Sequence, residues 1–374
     1  MSDEAPAEPD RAPGAPHPRH TPRLIGQDGA QANFLDAFNS GRLHHGWLIT
    51  GPRGVGKATL AWAIARFLIA NPPDEGAMFA SEPATSLEID PAHPVAHRID
   101  ALSEPGLFLL RRAWDDKARP ARLRAQITVD EVRKLRNFFA LSAPGGGRRV
   151  VIIDAADEMN ANAANALLKL LEEPPENAVL LLVAHQPMRL LPTIRSRCRE
   201  LRLTSLGADD LAAALAQAGI EGANDPALLV LADGSVGEAL RLAALGGPEI
   251  YARLVAILSG APRYDRTGAL ALANEVAAKA AAEKLHLTLR LIQTLLARLA
   301  RSGAGMAPTD FAAPDEAALL ARLAPHPRAA RRWAALEQQL SARAAHGVAV
   351  NLDPGALILD MIFRINETAA ELAA

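Results

Sequence analysis

The chain has 374 residues, of which 49% are hydrophobic and only 4% are aromatic, with a formal net charge of −2 and a single cysteine, Cys198. This length and apolar content suffice for two or three helix-rich domains with buried cores. The near-neutral charge excludes a strongly basic nucleic-acid binder, the single cysteine excludes a disulfide, and the lack of an apolar run of about 18 residues predicts a cytoplasmic rather than a membrane protein.

The N-terminal residues 1–20 are rich in Pro, Ala, Asp and Glu and have almost no bulky apolar side chains, which predicts a disordered tail. A helical pattern follows at residues 31–39. His44 and His45 come next; because rings of neighbouring residues on one element would diverge, they are interpreted as loop or core polar residues rather than as a shared metal site.

A glycine-rich loop at residues 51–59 follows a strand-like apolar run and opens a helical pattern, the arrangement that is typical of a phosphate-binding P-loop. Its glycines let the backbone turn tightly and aim N–H groups at a phosphate, while the helix dipole and a lysine add positive charge. The predicted phosphate-binding residues are Gly51, Gly54, Gly56, Lys57 and Thr59.

One position of this loop departs from the P-loop motif. Ala58 stands where the motif carries the Ser or Thr that holds Mg²⁺. Thr59 lies about 100° further round the helix, so it cannot simply substitute. The loop is therefore predicted to bind an anion but to position a metal poorly, and no metal site is expected.

Residues 71–105 are rich in Pro and Glu with little periodicity and are interpreted, with the stretch up to residue 125, as a surface insertion. The Arg-rich run at 111–124 is interpreted as a solvated, partly disordered loop, with a DNA- or partner-facing patch as the alternative.

Two histidines in this region, His93 and His97, have the spacing at which helical imidazoles can share a metal. Pro91 and Pro94 argue against a helix there, and no cysteine or well-placed acid completes a site. The interpretation is therefore that these histidines hold no metal.

A continuous β-branched run at residues 150–153 ends in the carboxylate of Asp154. A run without alternation predicts a strand buried on both faces of a parallel sheet. An acid at the carboxyl end of such a strand, in a chain with a P-loop, is the Walker B arrangement, in which the carboxylate reaches a nucleotide-bound Mg²⁺. A strand-terminating Asp that caps the next helix is the alternative.

Strands alternate with helices as far as residue 203, which predicts an α/β domain at 21–203 with a parallel sheet and flanking helices. Residues 204–262 are predicted to form short helices. From residue 263 to 374, long Ala- and Leu-rich helices predict an all-α unit whose function is packing.

Three segments together resemble bacterial clamp-loader subunits of the AAA+ class. They are residues 51–59, residues 150–175 with N-A-L-L-K-L-L-E-E-P-P at 165–175, and residues 192–198 with S-R-C at their end. The resemblance implies an AAA+ P-loop domain, a small helical lid and an all-α collar. It also implies a role in DNA replication within the DNA polymerase III holoenzyme, a nucleotidyltransferase. The implied partners are the delta and gamma/tau-type motor subunits, the sliding clamp and primed DNA.

Several positions lack the groups that the hydrolysing members of that family carry. Ala155 replaces the glutamate that orients water, Ala184 replaces a polar sensor, and Gly237 replaces a sensor arginine. Together with Ala58, these changes imply a subunit that hydrolyses no ATP itself, because phosphoryl transfer depends on positioning and charge stabilisation. ATP or ADP is expected to bind passively at most. Many relatives carry a four-cysteine zinc module where residues 71–105 have no cysteine, so no zinc is expected.

In this family the arginine of the S-R-C motif projects into the nucleotide site of a neighbouring subunit, so Arg197 is expected to act in trans as an arginine finger. A locally paired surface arginine is the alternative. The competing functional hypothesis is an active AAA+ ATPase, either a motor-type clamp-loader subunit or a recombination or repair ATPase. It would use Lys57 and Asp154 with a displaced base, such as Asp157 or Glu158.

Overall fold

The computed structural model describes residues 8, 11, 15–73, 82–115, 117–118, 122–140, 147–278 and 282–373. They divide into two compact units. The first takes in the described residues up to Gly219 together with Gly234–Glu238, and the second takes in Ile220–Asp233 and the described residues from Ala239 onwards. The sequence placed its boundaries after residues 203 and 262, whereas the second unit includes residues 220–233 and 239–262 of the predicted lid as well as the described residues from 263 onwards.

A parallel sheet of five strands forms the core of the first unit, with the strand order β2-β5-β6-β1-β7. All residues of β1 and β6 and the four central residues of β5 are buried, as expected for strands that are covered on both faces. A separate two-stranded hairpin joins β3 to β4. The strands are β1 Gly46–Thr50, β2 Leu107–Arg111, β3 Trp114–Asp115, β4 Arg122–Leu123, β5 Arg149–Asp154, β6 Ala178–Val183 and β7 Arg199–Arg202.

Helices flank this sheet, as the sequence predicted. In α5, the Asn160 side chain accepts the N–H of Ala163 and caps the start of the helix, whose apolar face packs into the core beneath the sheet. The helices are α1 Asp28–Asn39, α2 Lys57–Ala70, α3 Pro94–Asp100, α4 Val129–Ala140, α5 Ala161–Glu172, α6 Pro192–Arg195 and α7 Ala208–Gln217. The α/β fold with a parallel sheet and flanking helices is therefore confirmed.

Helices are the only regular elements among the described residues of the second unit, which includes residues 239–245 of α9. Its interior holds Glu316, which is fully buried and bonded to Tyr251 and Arg298. No helix in the described ranges of the chain is long and apolar enough to cross a membrane. The helices are α8 Pro226–Ala232, α9 Val236–Leu245, α10 Gly247–Leu258, α11 Arg266–Val276, α12 Ala282–Gly303, α13 Glu316–Leu323, α14 Pro327–Ala349 and α15 Pro354–Ala373.

The interpretation of residues 71–125 as a surface insertion was wrong for much of its length. β2 lies inside that stretch and is an edge strand of the main sheet, where Leu107 pairs with Val150. In α3, Val95 and Ile99 are buried. The apolar run of β2 directly follows polar sequence, and for this reason it was not recognised as a strand of the core. Residues 74–81, 116 and 119–121 of the predicted insertion lie outside the described residues.

The predicted disordered tail was wrong for residues 15–20. The His17 ring is buried against Trp62 of α2, with 5.7 Å between the ring centroids, and the Arg19 guanidinium donates to the Asp100 carbonyl. Packing of these few large side chains on α2 and α3 overrides the polar composition of the segment. Residues 1–7, 9–10 and 12–14 of the predicted tail lie outside the described residues.

The histidine pairs are also arranged differently from what the sequence suggested. Pro94 does not prevent a helix but begins α3, because proline lacks only an N–H that the first helical turn leaves unbonded. The His93 ring accepts the Val95 N–H as the cap of this helix. The rings of His44 and His45 stack with 4.4 Å between their centroids instead of diverging.

Candidate nucleotide site and arginine surface

The predicted P-loop lies at the carboxyl edge of the sheet, between the end of β1 and the start of α2. Gly51, Gly54 and Gly56 have φ values of 139°, 75° and 102°, which side-chain-bearing residues rarely adopt. At Gly51 an added Cβ would also lie 2.5 Å from the Leu203 carbonyl oxygen. The backbone shape that the sequence predicted for a phosphate cradle is therefore present.

The side chain of Lys57 is folded back into this loop. It is only 3% exposed, and its Nζ donates to the carbonyl oxygens of Gly51, at 2.8 Å, and of Pro52. Burial lowers the pKa of Lys57 to about 8, although the nearby carboxylates of Asp154 and Asp157 act in the opposite direction. The Lys57 ammonium, which would contact a bound phosphate, thus lies in the loop and is hydrogen-bonded to carbonyl oxygens of the loop itself.

Asp154 ends β5, where its backbone pairs with Val183 of the neighbouring strand. Its charge acts on Lys57, so the structure brings these two predicted site residues together. Thr59 lies half-buried in the first turn of α2. This site therefore brings together the predicted glycines, Lys57 and the aspartate that was predicted to act as the Walker B acid.

Three positions around the loop carry no polar side chain. Ala58 is half-buried in the first turn of α2, Ala155 is buried directly after β5, and Ala184 is fully buried after β6. A Mg²⁺ ion needs oxygen ligands, and a water nucleophile needs a base to orient it. Within the described ranges, no group of three His, Cys, Asp or Glu side chains could hold a metal ion.

The two acids that could replace the missing base have other partners. Asp157 is buried, and its carboxylate accepts the backbone N–H groups of His185, at 3.1 Å, and Gln186, at 2.9 Å. Glu158 forms an ion pair with Arg112, with Nε and Oε2 2.7 Å apart. Both carboxylates therefore bond to other parts of this chain near the sheet edge.

His185 follows the position at which the family's sensor residue is expected. Burial lowers its pKa to about 4, and the positive charges of Lys57 and Arg53 act in the same direction. Its Nδ1 is buried without a hydrogen-bond partner among the described residues. The imidazole is therefore neutral at pH 7 and supplies no positive charge to the loop.

The outer side of the P-loop is covered by residues 235–238, a contact that sequence reasoning missed. The N–H of Gly237 donates to the Gly54 carbonyl at 3.0 Å, and the Ser235 hydroxyl donates to the Arg53 carbonyl at 2.9 Å. An added Cβ at Gly237 would lie 3.0 Å from the Gly54 Cα. The lack of a side chain at Gly237 is what allows this close approach.

Arg197 lies at the opposite edge of the sheet from the P-loop. It precedes β7, whose Arg199 pairs with Trp47 near the start of β1, whereas the P-loop follows the end of β1. The five residues of β1 separate these edges by roughly 15 Å. An arginine in this position cannot serve the P-loop of its own chain.

The side chain of Arg197 is 37% exposed, and its guanidinium has two contacts. Its Nη2 lies 2.8 Å from Glu172 Oε1, and its Nη1 donates to the Thr193 carbonyl at 3.0 Å. Cys198 beside it is largely buried, which raises the pKa of its thiol to about 12, so this thiol is not reactive at neutral pH. Arg197 is thus a surface cation with a local partner.

A groove between α4 and α5 presents another set of cations. It encloses about 270 Å³ and has both apolar and basic side chains in its walls. The basic ones are Arg133, Arg136 and Lys169, of which Arg133 pairs with Asp130 of its own helix. This groove was not predictable from the sequence, because its cations come from two helices that are separated along the chain.

Residues 26–207 match the model of the family described as DNA polymerase III, delta subunit. This part of the chain, just under half of its length, is therefore similar to that family. The match agrees with the resemblance that the three sequence motifs suggested, and it covers the sheet, the P-loop and the surface that carries Arg197.

Individual relatives agree with this assignment. The DNA polymerase III subunit delta' of Pseudomonas aeruginosa is 39% identical over 217 residues, which are 56% of this chain and 59% of the relative. The gamma/tau subunit of Mycobacterium tuberculosis is 34% identical over 177 residues, which are 46% of this chain and 27% of the relative. The chain thus matches about six-tenths or less of the length of these curated relatives.

Among solved structures, a DNA polymerase III gamma subunit-related protein of Thermotoga maritima matches 90% of this chain and 99% of its own. Its sequence identity is 18% and its TM-score is 0.40, which is too low to serve as evidence for fold or function. The fold assignment rests instead on the strand order and on the position of the P-loop.

Proposed function

We propose that this chain is a delta-prime-like subunit of the DNA polymerase III clamp loader. It helps to load the sliding clamp on primed DNA, hydrolyses no ATP itself, and supplies Arg197 to the nucleotide site of a neighbouring ATPase subunit. The observation that carries this proposal is the placement of Arg197 at the sheet edge opposite the chain's own P-loop.

The absence of hydrolysis follows from the chemistry of the loop. The three glycines and Lys57 are suited to holding phosphate oxygens, and Asp154 lies close to Lys57. The alanines at positions 58, 155 and 184 supply neither a magnesium ligand nor a base nor a polar sensor. ATP or ADP, if it binds here, is expected to bind passively, and no zinc is expected because the chain has a single cysteine.

An arginine is the side chain best suited to act on a neighbour's nucleotide. Its planar guanidinium keeps its charge at all physiological pH values and can donate two parallel hydrogen bonds to phosphate oxygens. Arginine fingers supplied in trans accelerate GTP hydrolysis by about 10³–10⁵-fold. The partial exposure of Arg197 makes it available to a second subunit.

The proposed partners are the delta and gamma/tau-type subunits, the sliding clamp and primed DNA. The basic groove between α4 and α5 supports a contact with the DNA backbone, because it offers Arg136 and Lys169 as phosphate partners at the surface of a near-neutral protein. We expect the double substitution of Arg136 and Lys169 by alanine to weaken binding of primed DNA by the assembled complex. The loss should be greater at low than at high salt.

No observation favours the alternative of an active ATPase. Its candidate bases, Asp157 and Glu158, bond to backbone N–H groups and to Arg112 respectively. Phosphate release by the purified chain, with and without primed DNA, separates the two hypotheses directly. Turnover comparable to that of a gamma/tau-type subunit would contradict the proposal.

The main experiment is reconstitution of the complex with delta, gamma/tau-type subunits, clamp and primed DNA. Arg197→Ala should leave assembly intact, as judged by co-purification and gel filtration, and should lower the ATP turnover and clamp loading of the complex. Arg189→Ala is the matched control, because Arg189 is an exposed arginine in the turn after β6. Unchanged turnover with Arg197→Ala would refute the arginine finger.

A further inference from the structure

The Arg197–Glu172 pair joins the two motifs at 165–175 and 196–198. Glu172 is the last residue of α5, and its Oε1 lies 2.8 Å from Nη2 of Arg197, which stands just before β7. The second contact, from Nη1 to the Thr193 carbonyl, holds the other side of the guanidinium. The arginine is thus restrained at two points by its own subunit.

Glu172 stands where a carboxylate is locally unfavourable. The C-terminal end of a helix carries partial negative charge from its unbonded carbonyls, and cations rather than anions stabilise it. Glu173 follows immediately as the capping residue, so α5 ends in two consecutive carboxylates. A residue that is unfavourable for its local structure, as Glu172 is at this helix end, often has a functional role. The positive charge of Arg197 compensates for the unfavourable carboxylate of Glu172.

The guanidinium can bind a phosphate after a small change. It has five N–H donors, and its two contacts here use two of them. Both side chains of the ion pair are partly exposed, at 37% for Arg197 and 48% for Glu172. Water therefore screens the pair, and exchange of the carboxylate for another anion is easy.

We propose that Glu172 is a positioning residue that holds Arg197 against its own subunit until the terminal phosphate of a nucleotide in the neighbouring subunit displaces the carboxylate. This inference rests on the proposed function of Arg197. A terminal phosphate carries more negative charge than a carboxylate and offers several acceptor oxygens, so it outcompetes Glu172 when the neighbour's site is filled. The arginine then engages ATP in preference to an empty site.

The test is the ATP dependence of turnover in the reconstituted complex with Glu172→Gln. This substitution keeps the shape of the side chain and removes the competing charge. Because an exposed ion pair has a small energy, we expect the ATP concentration for half-maximal turnover to fall by about twofold to fivefold, with maximal turnover kept within about twofold. Glu173→Gln is the matched control, since it removes the same charge from the same helix end, and no ion pair of Glu173 occurs within the described ranges.

The outcomes separate this inference from the proposed function. If Arg197→Ala lowers turnover while Glu172→Gln behaves like Glu173→Gln and the unmodified complex, the role of Glu172 is refuted and the arginine finger stands. If Glu172→Gln lowers maximal turnover as Arg197→Ala does, Glu172 orients the finger instead of restraining it, and the inference is also wrong. If Arg197→Ala changes nothing, the proposed function itself fails. The double variant should match Arg197→Ala alone, because Glu172 acts only through Arg197.

Discussion

The backbone of Gly237 lies directly on the backbone of Gly54, and the N–H of Gly237 donates to the Gly54 carbonyl at 3.0 Å. A residue at the start of α9 thereby closes the outer side of the P-loop. Both positions need glycine, since an added Cβ on either one would lie 3.0 Å from the Cα of the other. The P-loop of this chain thus packs closely against the start of α9.

We expect Gly54→Ala to lower the free energy of unfolding by about 1–3 kcal/mol for its left-handed backbone conformation alone. The contact with Gly237 and Ser235 should add about 1 kcal/mol or more as overpacking. Gly41→Ala is the matched control, because Gly41 has a φ of 67° but open space around its Cα. If denaturant unfolding shows equal losses of unfolding free energy for the two variants, close packing of Gly54 against Gly237 and Ser235 is contradicted.

Lys57 gives the chain a specific dependence on pH. Burial lowers its pKa from the usual 10.5 to about 8, so between these values the unfolded chain binds more protons than the folded one. The contribution of Lys57 to stability therefore rises as the pH increases from about 8 to 10.5. Below pH 8 the Lys57 ammonium stays charged in the folded chain, so its burial lowers the free energy of unfolding by the full amount.

The measurement is the free energy of unfolding of the unmodified chain and of Lys57→Met between pH 7 and 10.5. Methionine fills a similar volume without a titrating group. The unmodified chain should gain stability relative to the variant across this range. A constant difference between the two proteins would show that the ammonium titrates at its ordinary pKa.

Continuous apolar runs were sufficient to predict the central strands. β5 and β6 are buried on both faces, and their sequences show this directly because no polar residue interrupts them. The edge strand β2 was missed, since its apolar residues lie between a Pro- and Glu-rich segment and an Arg-rich one. Only its pairing with β5 identifies it as part of the sheet.

In the candidate site, too, some features were predictable from the sequence and others were not. The glycines of the P-loop and the acid at the end of β5 were predictable, because their chemistry depends on local backbone shape and on strand ends. The contact between Gly54 and Gly237 was not predictable, since it joins segments far apart along the chain. Asp157 was considered as a base, but the 3-10 turn Ala156–Glu158 directs its carboxylate to the backbone after β6. The direction of the Asp157 side chain in this turn could not be predicted from a sequence motif.

This placement of Asp157 leads to a stability prediction. Asp157→Ala would leave the N–H groups of His185 and Gln186 without their acceptor in a buried region. Because hydrogen bonds to a charged group are among the stronger ones, we expect a loss of about 2 kcal/mol or more in the free energy of unfolding. Thermal and denaturant unfolding measure this loss.

Glu158→Ala is the control for Asp157→Ala. Its partner Arg112 is partly exposed, so the loss should be about 1 kcal/mol or less. The pair of variants also tests the ATPase alternative, because a catalytic base would lower turnover without lowering stability. An Asp157→Ala protein of unchanged stability would contradict the structural role assigned here.

A further stability prediction concerns Glu316, a buried acid in the helical second unit. Glu316 is fully buried, and its carboxylate meets the Tyr251 hydroxyl at 2.8 Å, the Arg298 Nε at 2.5 Å and the Ala312 N–H at 2.7 Å. Glu316→Ala leaves the largely buried guanidinium of Arg298 without its counter-ion, so we expect a loss of about 3–5 kcal/mol in stability. Glu371→Ala removes a glutamate that pairs with an arginine in the same unit, but both partners are about half exposed and the loss should stay below about 1 kcal/mol. Comparable losses for these two variants would show that the buried contact contributes no more than a surface pair.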